Sequence, residues 1–409
     1  MYGSRLEGFW LGTCIANWTG LVTEMDKVGD TGEFQTMPFY TREDWGKPDL
    51  PSIWATESSN LSDTIDFVLR KEGEVWGADD DTDIEYIYQE LLLANETSIL
   101  TPEQIRAGWL KHIRTEEENF LWVSNEKALH LMMEGVLPPE TSDPDRNQEF
   151  EMIDAQLTTE IFGLFAPGRP DVALKMARLP IRTTARKDAA WISEFYVTMF
   201  SLAALYDGKG SVKEHLSCSA SVARKQLPEN SYSAAMYDFV KEQHRSGVSW
   251  EEARDALHER YQVRHEDGYD MSGKYGNGCF AAGINFAASL VSLFYGEGDL
   301  KETIKIGSLC GWDSDNPTAT WGGLIGFLIG RTGVEAAFPE NKLSGLYNIS
   351  RTRINFPDRT PEKPGDDSFQ LMAERGLRVI DRVIREEIQG SVDSERNVWV
   401  IPCSETKTR

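Results

Sequence analysis

Asp79-Asp-Asp-Thr-Asp-Ile-Glu-Tyr-Ile-Tyr-Gln-Glu-Leu-Leu-Leu93 is the stretch that decides the fold class. Ile84, Ile87, Tyr88, Leu91 and Leu92 fall at i, i+3, i+4, i+7 and i+8, the apolar stripe of an amphipathic helix. Just ahead of that stripe, Asp79, Asp80, Asp81 and Asp83 put four carboxylates into five positions. A helix dipole favours acids in the first turn, and one or two satisfy it. Two unit charges about 4 Å apart repel by roughly 1 kcal/mol even in bulk water. Four adjoining acids therefore call for solvation or a shared cation.

Outward from this segment the helical period recurs. Thr101-Pro102-Glu103-Gln104 supplies a capping residue and a proline suited to the first helical position, and the run continues toward Trp109 and Ile113. Ser249-Trp-Glu-Glu252 is a capping-box pattern that opens a helix through His258. Further helices are predicted over 151–162, 171–177, 188–205, 232–245, 281–293, 300–310, 317–329 and 370–388. Alternating strands are scarce: Asn397-Val-Trp-Val-Ile401 is the best, and it predicts no more than a short edge pair. The fold class is all-α, a helical bundle in a single domain over 1–409, with a motif-bearing core over about 5–330 and a C-terminal extension over 331–409. Two proline-bearing stretches, 29–60 and 338–367, break the helical pattern and read as lids, binding segments or covering insertions.

Composition narrows the class of function. Of 409 residues 40% are apolar and 11% aromatic, which excludes disorder and low-complexity scaffolds. The formal net charge is −24, a field that repels nucleic acid, so no nucleic-acid partner is expected. No run of 18 apolar residues occurs, so no membrane span is expected. The five cysteines, Cys14, Cys218, Cys279, Cys310 and Cys403, are scattered without paired spacing. Free thiols in a reducing, cytoplasmic setting fit that pattern.

A second acidic cluster, Cys310-Gly-Trp-Asp313-Ser-Asp315-Asn316-Pro317, again places oxygen ligands at a helix start. Asp313 and Asp315, two apart in a nonhelical turn, can aim at one point, and the Asn316 side-chain oxygen can join them. The stripe Ala319, Gly322, Gly323 and Gly326 follows. None of the six histidines forms a zinc-spaced cluster with cysteine. Candidate ligands are all oxygen, which favours Mg²⁺, Ca²⁺ or Mn²⁺ over Zn²⁺.

With both clusters quoted, the chain resembles the ADP-ribosylglycohydrolase family, which includes ADP-ribosyl-arginine and ADP-ribosyl-serine hydrolases and the dinitrogenase reductase-activating glycohydrolase. The family's Thr-Asp-Asp-Thr is similar to Asp79-Asp80-Asp81-Thr82, and its Gly-Gly-Asp-Thr-Asp-Thr is similar to Gly311-Trp312-Asp313-Ser314-Asp315-Asn316. Its glycine-rich opening segment has a counterpart in Gly8, Gly12, Gly20 and Glu24. Four residues depart from the pattern: Asp79 and Asn316 each stand where the family has Thr, and Ala16-Asn17 stands where it has Gly-Asp.

The resemblance implies an all-α fold with a binuclear Mg²⁺ centre, Mn²⁺ being the alternative ion. The ligands carried over are Asp79, Asp80, Asp81, Asp313, Asp315 and Asn316, and Glu24 takes the family's catalytic acid/base position. Asp83, next after the first motif, is a candidate for orienting water or a ligand. Stacking of a base is assigned to aromatics of the loop after Glu24, among them Phe34, Phe39, Tyr40, Trp45 and Trp54, with Trp312 beside the second cluster. Lys274, in a glycine-rich turn over 273–278, is a candidate phosphate contact. The implied activity is Mg²⁺-dependent cleavage of the ribosyl bond in an ADP-ribosylated protein or small molecule. Two alternatives stay open: the same scaffold acting on another ribosylated nucleoside or metabolite, and a catalytically silent relative of the kind represented by the family's lens crystallins.

Overall fold

The computed structural model describes residues 1–54, 57–116, 119–271, 274, 278–348, 366–396 and 398–402. It is all-α, as the periodicity predicts. The helices Asp80–Ala94, Pro102–His112, Trp250–Leu257, Tyr232–Arg245 and Leu300–Cys310 stand where the sequence puts them. Thr101 and Ser249 each close a full capping box. The predicted 151–162 helix is two short ones, Ala155–Thr159 and Ile161–Phe165. Among the described residues, sheet is confined to two antiparallel pairs, Leu346–Asn348 with Asp366–Ser368 and Ser391–Asp393 with Val398–Val400. Residue 397 of the anticipated strand lies outside the described residues, as do 349–365 of the second proline-bearing stretch.

The helix Tyr2–Gly20 is the element that periodicity does not reveal. It is apolar nearly all round, with buried residues from Leu6 to Gly20, so it carries no single stripe for a pattern search to find. It packs against Asp315–Ala337, whose backbone breaks helical geometry at Gly330. The contact is backbone on backbone. A Cβ added at Gly12 would lie 2.2 Å from the Gly322 carbonyl oxygen, and one at Gly8 2.3 Å from that of Gly326. Farther along, Gly20 presses on the Cα of Asp315. Partner numbers fall as helix numbers rise, so the two helices run antiparallel, and the carboxyl end of the first meets the amino end of the second.

Around this pair one apolar cluster extends from Leu6 to Ile388. The 29–60 segment is anchored onto it by Arg254, which is 1% exposed and donates to the carbonyls of Tyr40 at 2.9 Å and Leu309 at 3.2 Å. Among the described residues no helix is long and apolar enough to cross a membrane.

The close approach makes a prediction. Gly322→Val inserts side-chain volume where only a hydrogen fits, so denaturant unfolding should show a loss of about 3 kcal/mol. Gly210→Ala, where nothing lies within 4 Å, should stay within about 0.5 kcal/mol of the parent. Equal stability of the two variants would contradict the packing described.

Candidate metal centre

The antiparallel glycine contact delivers the two acidic segments to each other. Beyond Gly20 the chain turns over Leu21–Asp26, and the Met25 N–H donates to the Trp312 carbonyl at 2.9 Å. The Trp312 N–H donates back to the Lys27 carbonyl at 2.7 Å. Gly311 permits the sharp entry to that turn, with φ +103° and the Lys27 carbonyl 2.7 Å from where a Cβ would stand. These bonds set Glu24 beside the second cluster: ligand oxygens of Glu24, Asp313 and Asp315 all lie within 4.8 Å of one another.

The first cluster joins from the helix Asp80–Ala94. Asp79 is its cap, one oxygen accepting from the Thr82 N–H at 2.8 Å. Its other oxygen accepts from Asn17 Nδ2 at 2.8 Å, and the same nitrogen donates to Asp315 at 3.1 Å. Asn17 thus ties the two acidic segments, 298 residues from Asp315 in the chain, with a single amide. Asn316 makes a second tie, donating from Nδ2 to Asp81 at 2.5 Å while its oxygen accepts from Gln156 at 3.0 Å. Asn125 donates to the other Asp81 oxygen at 2.6 Å, and the Asn285 side-chain oxygen accepts from the Asp313 N–H at 3.1 Å.

Glu24, Asp79, Asp80, Asp81, Asp313, Asp315 and Asn316 line one cleft of about 230 Å³. Asp154, which accepts from the Ser124 hydroxyl, joins them on the wall. Trp54, Trp122 and Phe280 close the cleft with stacked rings: Trp54 lies 5.4 Å from Phe280 at 10° and 5.7 Å from Trp122 at 24°. A larger cavity of about 790 Å³ adjoins it, sharing Leu21, Glu24 and Phe120.

Other sequence-assigned residues are placed elsewhere. Trp312 is 0% exposed, donates from its indole to Gln262 at 2.9 Å and packs on Phe39. Tyr40 is buried with its hydroxyl on Asp26 at 2.7 Å, and Phe34 packs partly buried against the core. Lys274 donates to the Gln148 carbonyl at 2.7 Å; most of its 273–278 turn lies outside the described residues. Asp83 accepts from the Tyr347 hydroxyl at 2.8 Å, below the cleft rather than in its lining. The structure brings none of these five to the cleft. Of the aromatics in the loop after Glu24, Trp54 is the one that reaches it. Asp154, Trp122, Phe280 and the braces Asn125 and Gln156 escape sequence reasoning, because a buried amide or a wall aromatic carries no spacing signal. Asn17 did leave a signal, as the departure within the opening segment.

Residues 1–368 match the sequence model of the ADP-ribosylglycohydrolase family. The chain belongs to that family. Among solved structures, one described as an ADP-ribosylglycohydrolase-related protein complex is similar at 16% identity and a TM-score of 0.49, with 93% of this chain and 99% of that chain covered. No protein with a curated description matches the chain significantly. ADP-ribosylglycohydrolases are metal-dependent hydrolases, so this chain is an enzyme, and its acids fit a metal. The donors are all hard oxygens. One oxygen of Asp315 is buried without any hydrogen-bond partner, a cost that a cation would relieve.

Electrostatics agree with that fit. Burial pushes the carboxyls of Asp81, Asp313 and Asp315 well above the usual range, and neighbouring acids push further: Asp80 acts on Asp81, and Glu24 acts on both Asp313 and Asp315. Burial also raises Asp154 to about 7. With raised folded-state values, the ion-free fold holds protons that the unfolded chain releases. That contribution to stability is full in acid and is lost as pH rises toward the folded values, while a bound cation displaces the protons. The melting-temperature increase produced by millimolar Mg²⁺ should therefore grow between about pH 6 and about pH 8. An increase that shrinks over that interval would contradict the arrangement.

Proposed function

We propose that this enzyme hydrolyses the ribosyl bond of an ADP-ribosylated protein side chain or small molecule, using two Mg²⁺ ions, or Mn²⁺ in their place. The observation that carries this reading is the convergence of Glu24, Asp313 and Asp315 within 4.8 Å, with Asp79 tied across to Asp315 by Asn17. Bound ions of this class would supply attachment for ribose hydroxyls and water and a lowered water pKa.

The chain's own residues do the rest. Cleavage of a ribosyl bond passes through an oxocarbenium-like state, which a floor of carboxylates stabilises. Glu24, half-buried where the cleft meets the larger cavity, is placed to move a proton between the attacking water and the departing group. Asn17, Asn125 and Asn316 hold Asp79, Asp81 and Asp315 in fixed orientation, so little reorganisation is needed when charge develops. Trp54, Trp122 and Phe280 offer flat apolar surface to a planar part of the substrate and keep bulk water from the floor. A second reading, the same scaffold acting on another ribosylated nucleoside or metabolite, is favoured by the replacements at Asp79 and Asn316 among the candidate ligands themselves.

Incubation with ADP-ribosyl-arginine, ADP-ribosyl-serine and free nucleosides, followed by analysis of released products, chooses between the two readings; no release from any of them would overturn both. Glu24→Gln keeps a ligand oxygen and removes the proton carrier. It should bind Mg²⁺ in calorimetry yet lose about 10²- to 10⁴-fold in kcat. Full turnover in this variant would remove Glu24 from the acid/base role.

A further inference from the structure

Trp312 holds a backbone conformation that disfavours a bulky side chain. Its φ is +58°, in the left-handed region, and it directly precedes Asp313. Met25, directly after Glu24, is left-handed as well, with φ +59°. The Met25 N–H donates to the Trp312 carbonyl, so the two strained residues meet beside the carboxylates they flank. Strain of this kind persists only where the surroundings over-determine it. Backbone bonds with Met25 and Lys27 supply part of that constraint, and the Trp312 side chain supplies the rest.

The side chain is held by one acceptor. The buried Trp312 indole donates from Nε1 to Gln262 Oε1 at 2.9 Å, and His258 Nδ1 meets the same oxygen at 2.7 Å. An indole nitrogen only donates, so the atom facing it is the amide oxygen; that oxygen only accepts, so His258 Nδ1 carries a hydrogen. His258 is set in turn by Asp30, 2.8 Å from its Nε2, and by Phe39, whose ring also packs on Trp312. Gln262 and His258 are both buried, and Gln262 lies outside the cleft lining. The local winding marks the same pair. His258–Val263 is a single π-helical turn, with the Arg264 N–H on the Glu259 carbonyl at 3.0 Å, five residues back. Such turns are rare and frequently stand at functional sites.

We propose that Gln262, held by His258, is a positioning residue for the metal centre. Its amide oxygen fixes the Trp312 indole, and through it the turn that presents Asp313 and, across the Met25 bond, Glu24. The proposal rests on the metal reading of the cleft. Groups one step removed from a ligand change metal affinity by about 10- to 100-fold when they are removed.

Calorimetry with Mg²⁺ at constant pH tests it. Gln262→Met removes the acceptor at similar size, and Trp312→Phe removes the donor; each should weaken binding about 10- to 100-fold. Both break one hydrogen bond, so the double variant should bind within about twofold of the weaker single variant. Trp109→Phe makes the same change at another buried tryptophan, in the helix Pro102–His112. It should lower the melting temperature and leave Mg²⁺ affinity unchanged, which separates positioning from a general loss of stability. If Gln262→Met does not fold, Trp312→Phe against Trp109→Phe decides alone. Affinity kept within about twofold in both single variants would overturn the proposal while the metal reading stands. Losses that multiply in the double variant would overturn it too, because the two side chains would then act separately. No Mg²⁺ binding by the wild type would overturn the metal reading and the positioning role together.

Discussion

The centre depends on one contact, the glycine-to-glycine approach of Tyr2–Gly20 and Asp315–Ala337. Ordinary side chains hold helix axes about 8–10 Å apart, and glycines remove that spacer. Here Gly8, Gly12, Gly322 and Gly326 bring backbone against backbone, and the register of that contact sets Gly20 on Asp315. The turn after Gly20 then has little freedom, and its bonds with Trp312 put Glu24 next to Asp313. The position of Glu24 is thereby determined by packing that extends along the helix to residue 326.

Like charges do not gather without something to hold them. In this protein the holding groups are amides. Asn17 spans Asp79 and Asp315, Asn316 and Asn125 take the two oxygens of Asp81, and Gln156 fixes Asn316 in turn. An amide nitrogen donates without adding charge, so it orients carboxylates while leaving the site's negative potential for a cation. Two of the four departures from the family pattern, Asn17 and Asn316, are themselves these braces, and another, Asp79, is the carboxylate that Asn17 holds.

What the sequence disclosed follows from which forces leave a period in the chain. Surface helices such as Tyr232–Arg245 and Phe369–Glu386 bury one side, so their apolar residues repeat. Tyr2–Gly20 is enclosed on every side and repeats nothing, so it escaped while its glycines did not. The acid clusters were legible because repulsion makes four adjoining acids improbable without a purpose. The aromatic wall was only partly legible: Trp54 was among the candidates, but Trp122 and Phe280 reach the cleft from distant segments and no local pattern marks them. Tyr40 and Trp312 show the converse, because an aromatic in a loop is as well suited to clamping that loop onto the core as to meeting a ligand.

Anomalous scattering from crystals grown with Mn²⁺ tests the central claim most directly. The account predicts density in the cleft about 2.1 Å from oxygens of both Asp313 or Asp315 and the Asp79–Asp81 turn. Density bound by only one of the two turns, or none in the cleft at saturating Mn²⁺, would contradict a shared centre.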